Sequence, residues 1–119
     1  MSKCILLVDD EIDVVNFLAN FLRRFRINTI KATSGEEALE LYSREKIDFV
    51  FLDIQMKGID GLTVLKEIRE MNPEAKVIMI TGKADRNFFV RAKKEGALDY
   101  IIKPLDLGEL RKKVEKYIL

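Results

Sequence analysis

The sequence contains no histidine and no tryptophan, and it has one cysteine and two prolines among 119 residues. Without histidine, the chain cannot build a His-ligated metal site or a Ser–His or Cys–His nucleophile pair, and it cannot itself act as a phosphohistidine donor. Cys4 has no partner for an internal disulfide, and its position in an apolar run predicts a packed thiol. Any chemistry must therefore use carboxylates, hydroxyls and ammonium groups.

The sequence also lacks a long apolar run and a charge imbalance. No stretch approaches the roughly 20 apolar residues of a membrane span. The formal net charge of +1 gives no electrostatic reason to bind nucleic acid or an anionic membrane directly. With 48% hydrophobic and 34% charged residues, the composition is that of a globular protein. We therefore expect one cytoplasmic domain spanning residues 1–119, with no membrane contact.

Five short apolar runs recur along the chain, and several are continuous rather than alternating, as in "DFVFL" and "KVIMI". Continuous runs are typical of strands buried on both faces of a parallel sheet. The predicted strands are Cys4–Val8, Ile27–Ile30, Asp48–Leu52, Lys76–Ile80 and Ala97–Ile102. Helical patterns lie between them, and the first has apolar residues at spacings of three and four: Val14, Phe17, Leu18, Phe21, Leu22 and Phe25.

Capping residues mark the predicted helix ends. Ser34 with Glu37 forms the pattern of a capping box, and Asp106 with Glu109 resembles a second one. Asp60 is placed to cap the segment "GLTVLKEI", and Gly96 lies where a helix would end in a left-handed residue. The last helix is predicted to carry one apolar face: Leu107, Leu110, Val114 and Tyr117.

Five consecutive βα units predict an α/β fold. Right-handed crossovers place helices on both faces of a parallel sheet, which gives a three-layer α/β/α sandwich. For five strands we expect the doubly wound, flavodoxin-like (βα)5 fold with strand order 2-1-3-4-5. In such folds the binding site lies at the carboxyl ends of the strands, near the switch point between the first and third.

Chemically useful side chains follow four of the predicted strands: Asp9-Asp10, Asp53, Thr81-Gly82 and Lys103-Pro104. Taken singly, each is an ordinary turn, strand or surface residue; together they converge on one predicted pocket. Two carboxylates about 4 Å apart repel by roughly 4 kcal/mol at an effective dielectric constant of about 20. Because one lysine cannot neutralise three carboxylates, the pattern indicates a divalent cation, and oxygen ligands favour Mg²⁺.

The segments "LLVDDE", "DFVFLDIQMKGIDG", "IMITG" and "DYIIKP" resemble the motifs of response-regulator receiver domains of two-component signalling, and the chemotaxis regulators among them. The resemblance covers essentially the whole chain. It implies that Asp53 is the phosphoacceptor. It also implies that Asp9, Asp10, Asp53 and the backbone carbonyl of Gln55 hold Mg²⁺.

The same resemblance implies roles for the residues around Asp53. Thr81 would bond the phosphoryl group, and Lys103 would pair with Asp53 or the phosphate, before a cis Pro104 peptide bond. Gln55 and Lys83 would influence how quickly the acyl phosphate hydrolyses. Phosphorylation would draw Thr81 towards the phosphoryl group and swing Tyr100 inward.

That switch would reshape the face made by the fourth helix, fifth strand and fifth helix, which could also carry Phe88, Phe89 and the lysines of "LRKKVEKY". The implied donor is a sensor histidine kinase or a phosphotransfer protein. The implied output is a downstream protein partner or a fused effector domain. We expect a monomer that is able to dimerise on phosphorylation, and a domain that catalyses its own phosphorylation and dephosphorylation rather than turning over an external substrate.

One departure and three alternatives remain. The family commonly has proline four residues after the phosphoacceptor, where this chain has Lys57. A nucleotide-binding Rossmann module is disfavoured because "VDDEID" contains no glycine-rich loop. An aspartate-based phosphatase would need a second carboxylate where Gln55 stands. A receiver-like module that only binds partners is disfavoured because the five key side chains are present.

Overall fold

The computed structural model describes residues 3–82 and 86–119. Strands and helices alternate throughout these two ranges. The strands are β1 (Cys4–Val8), β2 (Asn28–Ala32), β3 (Phe49–Asp53), β4 (Val77–Thr81) and β5 (Asp99–Ile102). The helices are α1 (Ile12–Arg23), α2 (Gly35–Arg44), α3 (Gly61–Met71), α4 (Arg86–Lys94) and α5 (Leu107–Tyr117).

The five strands form one parallel sheet in the order β2-β1-β3-β4-β5, which confirms the predicted topology. Alternate strand residues face two separate hydrophobic clusters. One cluster packs the sheet against α1 and α5, and the other packs it against α2, α3 and α4. This three-layer arrangement explains the continuous apolar runs, because β1, β3 and β4 are covered on both faces.

β1 has the predicted bounds, and the other four strands differ from the predicted ones by one or two residues at one or both ends. Asp53 and Thr81 are the last residues of β3 and β4, not the first residues after them. Asp53 pairs with Ile80, and Thr81 pairs with Ile102. Backbone pairing does not depend on side-chain polarity, so the ladder continues one residue beyond the apolar run. Both side chains are therefore held by the sheet itself.

The three predicted N-cap residues are confirmed at the helix starts. Ser34, Asp60 and Asp106 each accept a hydrogen bond from the backbone N–H three residues later. The carboxylate of Glu37 accepts from the N–H of Thr33 rather than from that of Ser34, so the first box is not the reciprocal one predicted. Gly96 has a φ of 98° and follows α4 in the left-handed region, as predicted.

Three of the apolar assignments were wrong. Phe17 is 40% exposed, and Val15 is buried in its place on α1. Leu107 is 46% exposed because it is the first residue of α5, and Ile118 instead completes the buried face. Cys4 is only partly buried, since it begins the first strand at the edge of the core. None of the described helices is long and apolar enough to cross a membrane.

Candidate functional site

Three polar side chains are fully buried in the part of the chain that the structure describes, and all three lie at one edge of the sheet. Asp9 follows β1 and is 1% exposed, Asp53 ends β3 and is 2% exposed, and Thr81 ends β4 and is fully buried. β3 lies between β1 and β4, so these positions are neighbours across the sheet. The structure thus brings together the strand-end residues that the sequence singled out.

The acidic pocket consists of Asp9, Asp10 and Asp53. Each offers one carboxylate oxygen, and the three oxygens lie within 4.8 Å of one another. Backbone N–H groups orient two of these side chains: Glu11 donates to Asp9 Oδ1 at 2.9 Å, and Gln55 donates to Asp53 Oδ1 at 3.2 Å. Asp10 is exposed at the pocket mouth. The fold itself therefore holds three acidic side chains close together.

Lys103 places a positively charged ammonium group beside these acids. Its ammonium nitrogen lies 2.9 Å from Asp9 Oδ2, 3.6 Å from Asp53 Oδ2 and 3.6 Å from Glu11 Oε1. The Lys103–Pro104 peptide bond is cis, as the resemblance implied. Asp9, rather than Asp53, is the nearest carboxylate. Glu11 was not among the predicted site residues, although it is the third acid of the run after β1.

The pocket opposes ionisation of Asp53. Burial and then the Asp9 carboxylate raise the pKa of Asp53 to about 7, against the opposing effects of Lys103 and the Gln55 N–H. Burial acts against the charge on Lys103, but Asp9, Asp53 and Glu11 outweigh it and raise the pKa of the ammonium group. Lys103 is therefore charged at neutral pH, and the negative charge around it is only partly balanced.

The residues present fit a hard divalent cation. Asp9 Oδ2 is buried and, beyond its ion pair with Lys103, accepts no well-aligned hydrogen bond from the described residues. Asp53 would ionise more readily if positive charge were added beside it. Carboxylate oxygens in a pocket with excess negative charge are the ligands that Mg²⁺ prefers. The donor set thus matches the cation predicted from the sequence.

Comparison with known proteins bears directly on this pocket. The family described as the response regulator receiver domain matches residues 5–115, which is almost the whole chain. The chain belongs to this family. Receiver domains act in two-component phosphorelay signalling and bind Mg²⁺ at an acidic pocket. The fold and the Asp cluster of the present receiver domain agree with that description.

Two curated relatives differ in how much of their length the receiver domain spans. It is 41% identical over 112 residues to the transcriptional regulatory protein ZraR of Escherichia coli (strain K12), covering 94% of this chain but 25% of ZraR. The receiver domain is 31% identical over 118 residues to sporulation initiation phosphotransferase F of Bacillus subtilis (strain 168), and the alignment covers 99% of this chain and 95% of that protein. The chain thus spans about a quarter of the first relative and nearly all of the second.

Solved structures confirm the fold. One chain of a CheX–CheY–BeF3–Mg²⁺ complex from Borrelia burgdorferi superposes with a TM-score of 0.93 at 33% identity, covering 98% of this chain and 90% of that one. The receiver domain of NtrX from Brucella abortus gives a TM-score of 0.87 at 36% identity, and the match covers 94% of this chain and 95% of that one. Both are proteins to which the receiver domain is similar in sequence as well as in shape.

The departure at Lys57 has a structural consequence in this receiver domain. The backbone N–H of Lys57 donates to Asp10 Oδ2 at 3.4 Å. Proline, which is common at this position in the family, has no N–H and could not make that contact. Lys57 therefore adds a third backbone N–H contact to the acidic pocket, after those of Glu11 and Gln55, and the sequence alone did not indicate it.

Gly61 was missed in the sequence and is sterically required. A Cβ atom placed there would lie 2.4 Å from the carbonyl oxygen of Asp53 and 2.6 Å from the Cα of Ile54. The Gly61 N–H also donates to the Ile54 carbonyl at 3.0 Å. The start of α3 therefore packs directly on the backbone that carries Asp53. The second glycine of "GIDG" was the only sequence signal for this contact.

Of the two residues predicted to influence how quickly the acyl phosphate hydrolyses, one lies within the described residues and the other does not. Gln55 is exposed beside the pocket, and its side-chain oxygen lies 3.9 Å from a Cβ placed on Gly82. Gly82 thus has room for a methyl group among the described residues. Lys83 lies outside the described residues, so its predicted role stays a prediction.

Tyr100, the predicted switch residue, lies on the outer side of β5. Its side chain is 39% exposed, and its ring stacks on Phe89 of α4 with centroids 3.7 Å apart and an interplanar angle of 9°. The two rings line a groove of about 330 Å³ together with Val90 and the basic Arg86 and Lys93. The receiver domain therefore has an aromatic pair at the position where the sequence predicted a single movable tyrosine.

Proposed function

We propose that residues 1–119 form one receiver domain that accepts a phosphoryl group on Asp53 and thereby switches partner binding. The observation that carries this proposal is the buried Asp53 carboxylate, fixed at the end of a central strand beside Asp9, Asp10 and Lys103. The proposed donor is a phosphohistidine of a sensor histidine kinase or a phosphotransfer protein. Residues 1–119 contain no histidine, so the donor histidine must lie outside them.

The proposed reaction is a displacement at phosphorus. An Asp53 carboxylate oxygen forms the new O–P bond as the N–P bond to the donor imidazole breaks, and the imidazole leaves with the bonding electron pair. Asp53 needs no general base once it is ionised, so the chain mainly has to position it and balance charge. The Gln55 N–H and the β3 pairing fix its position.

Five other residues complete the proposed site. Mg²⁺, held by Asp9, Asp10, Asp53 and the carbonyl oxygen of Gln55, would supply positive charge for the phosphoryl oxygens and favour ionised Asp53. Lys103 already lies 3.6 Å from Asp53 and would neutralise a further oxygen. Thr81, buried at the end of neighbouring β4, would donate its hydroxyl to the phosphoryl group.

The proposed chemistry makes the domain a signalling phosphoacceptor rather than an enzyme with an external substrate. It would catalyse its own phosphorylation and its own dephosphorylation, with Gln55 and Lys83 affecting the second rate. Inward movement of Thr81 and Tyr100 would then change the face formed by α4, β5 and α5. A downstream protein or a fused effector domain would bind this face. Dimerisation on phosphorylation would be one such binding event.

Beryllofluoride, a mimic of the aspartyl phosphoryl group, tests the proposal without a kinase. With Mg²⁺ present, ¹⁹F NMR should show one bound beryllofluoride on the wild-type chain and none on Asp53→Asn. Asp48→Asn is a matched control, because Asp48 precedes β3 at the opposite end of the same strand and, among the described hydrogen bonds, its carboxylate accepts only from the N–H of Cys4. That variant should bind normally.

The same measurement separates the remaining alternatives. Equal binding by Asp53→Asn would show that another group accepts the mimic and would overturn the assignment of Asp53. No binding by the wild-type chain, with or without Mg²⁺, would favour a receiver-like module that binds partners without taking a phosphoryl group.

A further inference from the structure

The stacked pair of Phe89 and Tyr100 connects α4 to β5. The two rings are nearly parallel, at 9°, and their centroids are 3.7 Å apart. Tyr100 remains 39% exposed, so its ring lies on the outer surface of the sheet edge rather than in the core. Stacked aromatic rings attract each other beyond the effect of the apolar area they bury. Phe89 therefore stabilises this outward orientation of Tyr100.

The backbone of Tyr100 is fixed independently of its ring. Asp99 Oδ1 accepts a hydrogen bond from the Tyr100 N–H at 2.8 Å. Asp99 Oδ2 accepts from Lys113 Nζ at 2.6 Å and from the Tyr117 hydroxyl at 2.9 Å, both on α5. Burial alone would raise the pKa of Asp99, but Lys113 and the other donors outweigh it and lower that pKa. Rotation of the side chain is thus the freedom that remains to Tyr100.

We propose that Phe89 is a positioning residue that holds the Tyr100 ring outward in the unphosphorylated domain and so lowers the apparent affinity of Asp53 for a phosphoryl group or its mimic. This inference rests on the proposed function in one respect, namely that occupation of Asp53 favours an inward Tyr100. The Tyr100 ring cannot stack on Phe89 and lie inside the sheet edge at the same time.

The consequence for ligand binding follows from linkage. A ligand that favours the inward state binds with an apparent dissociation constant raised in proportion to the rarity of that state. Any interaction that stabilises the outward state alone makes the inward state rarer. Phe89 does so through the stack, and the same stack forms part of the groove beside Val90 and Lys93. Loosening it would therefore change both the ligand affinity and the partner surface.

Beryllofluoride titrations in Mg²⁺ test the proposal with Phe89→Leu, which keeps an apolar side chain but removes the stack. We expect about three- to tenfold tighter binding than in the wild-type chain. Phe89→Tyr retains a ring and should bind as the wild type does. In a Tyr100→Leu background, Phe89→Leu should change the affinity by less than about twofold, because no ring remains to be held.

A second readout needs no ligand at Asp53. Three-bond NMR couplings should show one dominant Tyr100 side-chain rotamer in the wild-type chain and averaged rotamers in Phe89→Leu. An unchanged rotamer in Phe89→Leu, or an equal gain in affinity with and without Tyr100, would overturn the proposal. If the wild-type chain binds no beryllofluoride, the phosphoacceptor function fails, and the rotamer comparison alone then decides whether Phe89 holds Tyr100.

Discussion

At the scale of single residues, Asp53 has a carboxyl group that its surroundings keep from ionising easily. Its folded pKa is raised from 3.8 to about 7, chiefly by burial and then by Asp9. Between these two pH values, the folded chain therefore retains a proton on Asp53 that the unfolded chain releases. Because the unfolded state binds fewer protons there, the free energy of unfolding falls as the pH rises from about 4 to 7. In the metal-free protein, ionisation of Asp53 therefore lowers the stability of the fold.

Asp53→Asn should remove this pH dependence, since an amide does not ionise. In the presence of a chelator we expect the variant to be more stable than the wild type at about pH 8, by on the order of 1–3 kcal/mol, with a smaller difference near pH 5. Urea unfolding at the two pH values measures both quantities. A stability difference that is the same at both would show that repulsion at Asp53 is not its cause.

The residue types of the pocket were predictable, but several of their contacts were not. Asp9, Asp53, Thr81 and Lys103 each end or follow a strand, and parallel topology alone brings such positions together. The pairing of Lys103 with Asp9 depends on the path of the loop after β5 and on a side chain with many rotamers. No spacing rule in the sequence specifies either of these.

At the scale of secondary-structure elements, α3 begins directly against the end of β3, which carries Asp53. Gly61 begins α3 against the backbone of Asp53 and Ile54, and Asp60 caps the same helix by accepting from the Thr63 N–H at 2.8 Å. The cap was evident from the sequence because it is local. The close approach was not, because it joins a helix start to a strand seven or eight residues earlier.

Gly61→Ala should destabilise the fold and displace Asp53. The added methyl group would meet backbone atoms that cannot rotate away, so we expect a loss of about 2–4 kcal/mol and weaker beryllofluoride binding. Gly82→Ala is the matched control, because its added Cβ meets only Gln55 Oε1, at 3.9 Å, among the described atoms. Chemical denaturation of both variants makes the comparison; equal stabilities would contradict a steric role for Gly61.

At the scale of the whole molecule, two hydrophobic clusters on opposite faces of one sheet support the acidic pocket at its edge. This architecture was predictable, because five βα units and right-handed crossovers leave few arrangements. Predicting the strand order required no knowledge of side-chain contacts. Predicting the stacked pair of Phe89 and Tyr100 would have required it, since α4 and β5 meet only after the sheet has assembled.

Binding of Mg²⁺ should stabilise the whole molecule, because the unfolded chain does not bring the three acids together. At about 100 times its dissociation constant, Mg²⁺ should add roughly 2.7 kcal/mol to the free energy of unfolding. Asp10→Asn should reduce this gain, and Asp13→Asn, on the neighbouring turn of α1, should not. Thermal unfolding with and without Mg²⁺ measures it, and a wild-type midpoint that does not respond to Mg²⁺ would rule out a working metal site.

The order of the strands has a further consequence for how such a domain can evolve. Asp53 lies on β3, which has a neighbour on each side, whereas Tyr100 lies on β5, the last strand of the described sheet, beside β4. Substitutions on the outer side of β5 and on α4 alter the exterior of the molecule and leave the three acidic side chains in place, although those that disturb the pair of Phe89 and Tyr100 would also change the affinity of Asp53 for its ligand. A lineage can therefore acquire new recognition partners by changing an edge strand while the acidic residues themselves are inherited unchanged.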